Sequence, residues 1–382
     1  RKRKWRQPSR QVRKWGGRPR LSGRKVVGTS SIRSLPSAAL ATISLAMMER
    51  AFPTELAPNR DIGVQAEGAG KGMARIETAI DACEVVLMLA PETNGEVAVK
   101  AWHALEKITG FEINWNLLAF PGLSWARQVF PDLTEDKAVA ALAEAIFAAS
   151  RVGGADPVAA WAAHNAGLRA RTTWLNDHRF ASLRFTGPGT DLTVGLADGH
   201  EWQGGASTAK NGVTCNANIP TEEVFTTPHA LRVDGWVAAT KPLAHQGSLI
   251  ENIAVRFEAG RIVEAKATKG EAVLLKLLDS DAGARRLGEV ALVPHGSPIS
   301  QSGVLFYNTL FDENAACHIA LGQCYSKCFL NGGSLSPEAI AAQGGNSSMI
   351  HVDWMIGSDQ IDIDGIAADG SVVPVFRKGE WA

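Results

Sequence analysis

The sequence predicts an α/β N-terminal part followed by an α+β, sheet-rich C-terminal domain. Two textures carry that expectation. Up to about residue 180, short apolar runs are interspersed with segments of helical period. Beyond it, short alternating runs follow one another closely, separated by glycine and proline turns. With 382 residues, 45% of them hydrophobic, the chain is long enough for more than one core. We divide it into a basic segment at 1–60, a partial α/β domain with bridging helices at 61–180, and a metal-binding domain at 181–382.

The first segment has an unusual composition. About a dozen Lys and Arg fall within the first 25 residues and no acid precedes Glu49, so the formal net charge of zero leaves the rest of the chain acidic. A transit peptide, a basic nucleic-acid arm and a truncated or wrongly translated end all fit this stretch. Because it lacks a period of 2 or 3.6, we expect roughly the first 60 residues not to pack as an ordinary domain.

Regular patterning starts at EVVLMLA (84–90), a buried strand bounded by Pro91 and Asn94-Gly95. FEINWN (111–116) reads as a second strand, with a turn at Pro121-Gly122 and a short helix after Ser124. Thr134 caps a helix that carries Val139, Leu142 and Ile146. Asp156-Pro157 opens another, with Trp161, Leu168 and Leu175 on one stripe. SLRFT (182–186) and DLTVG (191–195) form a hairpin around Gly187-Pro188-Gly189. Further strands are expected at 253–257, 290–293 and 350–356, with helices at about 270–278 and after Asn314.

Several function classes drop out on composition. No run of 18 apolar residues is present, so no transmembrane helix is expected. Five cysteines (Cys83, Cys215, Cys317, Cys324, Cys328) are too few and too uneven for a disulfide framework, which points to the cytoplasm. Outside the basic segment nothing invites nucleic acid. GGASTAKNG (204–212) lacks the spacing of a phosphate loop, so no organic cofactor is expected, and 204–212 reads as a loop lining the substrate cleft. The acidic run at 359–364 lacks the terminal Glu of a calcium loop and reads as a polar turn.

The candidate chemistry lies in the second half. On a strand at 350–356, a period of two puts His351 and Asp353 on one face and Val352, Trp354 and Ile356 on the other. A helix capped by Asn314 would carry His318 and Tyr325 two turns apart, with Glu313 folded over its N-terminus. Cys317, Cys324 and Cys328 would share a stripe of that helix as buried thiols. Glu289 opens the strand at 290–293, and Glu223 lies in NIPTEEVFTTP (218–228). Singly, each has a plain structural reading: an edge strand meeting water, a capping acid, a core histidine, a surface carboxylate. Together, Glu223, Glu289, Glu313, His318, His351 and Asp353 supply more hard ligands than one tetrahedral zinc uses, and the surplus suits two divalent ions about 3.5–4 Å apart. A mononuclear iron oxygenase using His318, His351 and Asp353, and a non-catalytic metal-stabilised binding protein, are the competing readings.

Long stretches resemble the thermophilic aminopeptidase family of metallopeptidases: NIPTEEVFTTP (218–228), GEVALVP (288–294), SPIS (297–300), LFYNTLFDENAACHIALGQCY (305–325), GGNSSMIHVDWMIGS (344–358) and DIDG (362–365). The resemblance runs from about Lys107 to the C-terminus, and residues 1 to about 100 do not look like the family's N-terminal domain. It implies a sheet-rich metallopeptidase domain, metal ligands at Glu223, Glu289, His318, His351 and Asp353 with Glu313 as a sixth, and an active-site tyrosine at Tyr325. It further implies a two-domain protein, a homodimer enclosing its active sites, that cleaves the N-terminal residue from peptides with zinc, cobalt or magnesium.

Overall fold

A computed structural model of the chain describes residues 111–382, Gln246 excepted. The basic segment at 1–60, the strand expected at 84–90 and most of the partial α/β domain lie outside the described residues.

Three helices come first: α1 (Leu123–Val129), α2 (Glu135–Ala149) and α3 (Pro157–His178). Glu135 and Asp136 occupy the first turn of α2, where the helix dipole favours negative charge, and Ala138, Leu142, Ile146 and Ala149 form its buried stripe. Asp156 caps α3, accepting from the Ala159 N–H at 2.9 Å, and Pro157 takes the first helical position. Trp161, Leu168 and Leu175 are its buried face, as the spacing predicts. Trp161 Nε1 donates to the Ser150 carbonyl at 2.8 Å, which docks the start of α3 against the end of α2.

The chain then becomes mostly sheet. β1 (Ser182–Gly187) and β2 (Thr190–Leu196) form the expected hairpin, closed through Pro188 and Gly189, whose φ of 72° suits glycine. There follow β3 (Gln203–Gly204), β4 (Ser207–Thr208), β5 (Thr214–Cys215), β6 (Val224–Thr226) and β7 (Pro228–Ala238). Next come β8 (Leu243–His245), β9 (Ser248–Ile250), β10 (Ala254–Glu258), β11 (Arg261–Lys266), α4 (Glu271–Leu278) and β12 (Leu287–Leu292). The remainder comprises α5 (Pro298–Ser302), α6 (Thr309–Asp312), β13 (His318–Gly322), α7 (Pro337–Ala342), β14 (His351–Met355), β15 (Asp362–Ile366), β16 (Val372–Arg377) and β17 (Glu380–Trp381).

Eight strands form an antiparallel sheet in the order β11-β10-β7-β2-β1-β15-β16-β17, and five form a second in the order β14-β13-β12-β6-β3. The two share one hydrophobic core. Phe185, Val194, Val233 and Phe257 of the larger sheet join Val290, Leu292, Ile319, Leu321, Val352 and Trp354 of the smaller. A separate core joins α1 and α2 to Ile299, Phe306 and Phe311, on the connections that flank the smaller sheet.

Four expectations need correction. FEINWN (111–116) is not a strand, because Asn114 and Asn116 spend their side chains on the loop at 211–216 instead of alternating against a sheet. The contact becomes a single parallel bridge, Leu117 to Asn218. No helix follows Asn314. A 3-10 turn, Glu313–Ala315, leads into β13, which pairs with both β12 and β14. The three alanines of this stretch have helical propensity, but two neighbouring strands override it. The 204–212 segment is less loop-like than expected, since β4 pairs with β5 to make a small hairpin, and the acidic run at 359–364 ends inside β15.

Candidate metal centre

The smaller sheet has one greasy face and one acidic face. Register sets both, because side chains of paired residues share a face. Val290, Ile319 and Trp354 line up toward the core. One residue along, Ala291 pairs with His318 and with Phe225, Ala320 pairs with Glu289 and with Asp353, and Gly322 pairs with His351. The opposite face is therefore built of Glu289, His318, His351 and Asp353, separated by the small side chains of Ala291 and Ala320. Glu223 reaches the cluster from the residue just before β6. Glu313 enters from the 3-10 turn ahead of β13, and Tyr325 from the loop after it.

The imidazoles and carboxylates converge. His318 Nε2 lies 3.0 Å from Glu223 Oε2 and 3.8 Å from Glu289 Oε1. His351 Nε2 lies 3.6 Å from Glu289 Oε2 and 3.5 Å from Asp353 Oδ1. Two groups result, Glu223 with Glu289 and His318, and Glu289 with His351 and Asp353, each offering ligand atoms within 4.8 Å of one another. Glu289 belongs to both. Glu313 belongs to neither, although it is close enough for Asp353 and Glu223 to raise its pKa.

Both histidines are oriented by backbone carbonyls. His318 Nδ1 donates to Ala316 O at 3.0 Å and His351 Nδ1 donates to Gln323 O at 2.7 Å. A carbonyl only accepts, so Nδ1 carries a proton and Nε2 turns into the cluster, the nitrogen a metal would take once its own proton is displaced. Of these residues sequence reasoning misplaced His318 and Tyr325, which sit on a strand and a loop. The alternation of Cys317, Ile319 and Leu321 with His318, Ala320 and Gly322 was the available signal.

The cluster is electrostatically unbalanced. Glu289 is 4% exposed and His318 1%, and no Lys or Arg among the described residues forms an ion pair with Glu223, Glu289, Glu313 or Asp353. Burial, with added repulsion from Glu223 and Asp353, pushes Glu289 up to about 7. Burial followed by Asp353 and Glu223 raises Glu313 well above the carboxylate range. Burial works against protonation of His351, but Asp353 and Glu289 outweigh it and lift the imidazole to about 9. His318 is raised likewise, against its burial, by Glu223 and Glu289. Burial, then the four acids, pushes the Tyr325 phenol upward, so it stays protonated and able to donate. Glu223 Oε2 and Asp353 Oδ1 are buried, and the polar groups nearest them are the two imidazole Nε2 atoms. Buried carboxylates outnumbering the imidazoles beside them, all of them hard oxygen and nitrogen ligands, fit divalent cations.

Behind the cluster lies a layer that sequence reasoning did not find. Glu222, 4% exposed, points away from its neighbour Glu223 and pairs with Arg151 through two hydrogen bonds, the Nη2 to Oε2 contact being 2.7 Å. His164 Nε2 donates to Thr221 O at 2.7 Å, and Asn314 Oδ1 accepts from the Glu222 N–H at 2.7 Å. The residue just past α2 and the first half of α3 are thereby tied to the loop that delivers Glu223. Nothing in the local sequence around Arg151 signals this partnership 71 residues away.

Comparison with known proteins follows the same lines. A family model described as thermophilic metalloprotease (M29) matches residues 66–381, which extends the likeness toward the N-terminus beyond Lys107. Aminopeptidase T of Thermus aquaticus is 52% identical over 315 residues, covering 81% of this chain and 77% of its own. Aminopeptidase AmpS of Bacillus subtilis (strain 168) is 46% identical over 288 residues, covering 75% of this chain and 70% of its own. Among solved structures, wild-type AmpT from Thermus thermophilus superposes with a TM-score of 0.68 at 51% identity, covering 76% of this chain and 73% of that one.

The Arg151 and Glu222 pair gives a direct check on the supporting layer. Arg151→Met strands a buried carboxylate and is expected to cost about 3–5 kcal/mol in urea unfolding, whereas adding Glu222→Met should recover most of that loss. A single-variant cost under about 1 kcal/mol would mean the pair does not hold this loop.

Proposed function

This chain belongs to the thermophilic metalloprotease family (M29), and from that premise we propose that it is an aminopeptidase releasing the N-terminal residue of short peptides with a pair of divalent cations. The supporting observation is the shared position of Glu289 between two ligand groups. Four carboxylates with no lysine or arginine partner among the described residues suit two divalent ions better than one. A single iron bound by His318, His351 and Asp353 would leave Glu223 and Glu289 buried and uncompensated.

In this reading Glu223, Glu289 and His318 would hold one ion, and Glu289, His351 and Asp353 the other. Zinc, cobalt and magnesium all suit such ligands. When bound, the ions supply Lewis acidity and bring the pKa of water from 15.7 to about 7. Tyr325, kept protonated by its surroundings, donates a hydrogen bond to the oxygen that gains charge as the scissile carbonyl is attacked. Glu313 was counted above as a sixth ligand. Its place outside both groups, with its pKa raised first by burial and then by Asp353, favours a different task, taking the proton from water. Assembly as a homodimer and a cytoplasmic location belong to the same proposal. No helix among the described residues is long and apolar enough to cross a membrane.

Chelation tests the metal requirement and its proton linkage together. Protein stripped with EDTA should lose hydrolysis of leucyl substrates and regain it with zinc or cobalt; unaltered hydrolysis after stripping would refute the proposal. With His351 raised to about 9, the metal-free site holds a proton at pH 7.5 that an ion must displace. Metal affinity therefore rises with pH up to about 9 and weakens as pH falls, and calorimetry in buffers of different ionisation enthalpy should show at least one proton released per chain.

Glu313→Gln separates base from ligand. We expect the variant to keep its metal content while kcat falls roughly 10²–10⁴-fold. Loss of an ion in this variant would return Glu313 to the ligand set.

A further inference from the structure

Beside the acidic cluster stands a cation without an obvious task. Lys327 Nζ lies 4.6 Å from the centre of the Phe225 ring and 5.3 Å from that of Tyr325. Both aromatic residues border the candidate centre, for Phe225 follows Glu223 by two residues on the same face, and the Tyr325 ring lies 4.7 Å from the His351 ring. The aromatic faces attract the ammonium and restrict where a long, flexible side chain can go. Lys327 is exposed, and the one lysine ion pair among the described residues joins Lys269 to Glu251 elsewhere. Lys327 thus has no acidic partner there, although four carboxylates lie one ring away. Once those acids are committed to cations, this ammonium on the rim faces a centre that is neutral or positive, and it has no anionic partner among the described residues.

We infer that Lys327 is a specificity-determining residue that binds a carboxylate of the peptide substrate. This rests on the aminopeptidase reading and deepens it. The distances of 5.3 Å from Nζ to the Tyr325 ring and 4.7 Å from that ring to His351 place the ammonium no more than about 10 Å from the His351 ring. An extended peptide advances about 3.3–3.6 Å per residue, so a carboxylate one or two residues beyond a scissile carbonyl held at the centre falls within reach. Two sources supply that chemistry: the free C-terminus of a di- or tripeptide, and an acidic side chain on the N-terminal residue itself. An ion pair at an exposed rim is steered and screened by salt, so the preference should fade as ionic strength rises.

The test compares matched substrates that differ by one negative charge, using the metal-loaded full chain and its Lys327→Met and Lys327→Arg variants. One arm measures Leu-Gly against leucyl-glycinamide, and the other glutamyl against glutaminyl p-nitroanilide. In at least one arm, Lys327→Met should lower the charged-to-neutral ratio of kcat/KM about tenfold, mainly through KM, and Lys327→Arg should restore most of it. Loss in the first arm identifies the C-terminal carboxylate, and loss in the second the acidic side chain. If both ratios stay as in the unaltered protein while leucyl substrates are still cleaved, Lys327 does not recognise substrate and the inference fails. If the metal-loaded unaltered protein cleaves none of the four, it is the aminopeptidase reading that falls.

Discussion

Four carboxylates face one another across a site that water barely reaches, and no arginine or lysine among the described residues neutralises them. Burying one uncompensated carboxylate is costly, and close like charges raise the cost further. Two imidazoles, held with their Nε2 atoms inward by Ala316 O and Gln323 O, are the only internal relief. Such an arrangement does little for stability, and a surface or a hydrophobic face would serve the fold better. Its persistence on a sheet whose strands β12 and β13 are buried throughout makes sense if external cations complete it.

The fold meets this constraint by giving one sheet two chemistries. A period of two along β12, β13 and β14 sends Val290, Ile319 and Trp354 into the shared core, and the residues next to them into the acidic pocket. Space for ions comes from Ala291 and Ala320, the small residues between the ligands. Gly322 has a related role: with φ at 100°, it lets the end of β13 approach β14 where a side chain would strike the Ile350 carbonyl. Support comes from the far side through Arg151 and Glu222, so the helices that precede the sheet help to set where Glu223 stands.

Much of this was legible in the sequence, unevenly. His351-Val352-Asp353 declared itself because strict alternation on a strand fixes which side chains share a face, and the caps at Asp156 and Pro157 fixed the start of α3. His318 and Tyr325 were recognised as functional but put on the wrong element. In the 313–325 stretch, alanine and leucine speak for a helix, while the decisive pairing partners, β12 and β14, are distant in sequence. Arg151 and His164 escaped altogether, and Asn314 was read only as a helix cap. Their importance arises only from long-range contacts with Glu222 and Thr221, and a buried ion pair leaves no local periodicity to read.

Whether Glu289 joins two cations is the claim on which the chemistry turns, and anomalous diffraction from zinc-soaked crystals, recorded on both sides of the zinc edge, measures it directly. Two peaks about 3.5–4 Å apart, one between Glu223 and His318 and the other between His351 and Asp353, with Glu289 touching both, is the predicted result. A lone peak away from Glu289, or peaks scattered over the surface with none in the pocket, would contradict it.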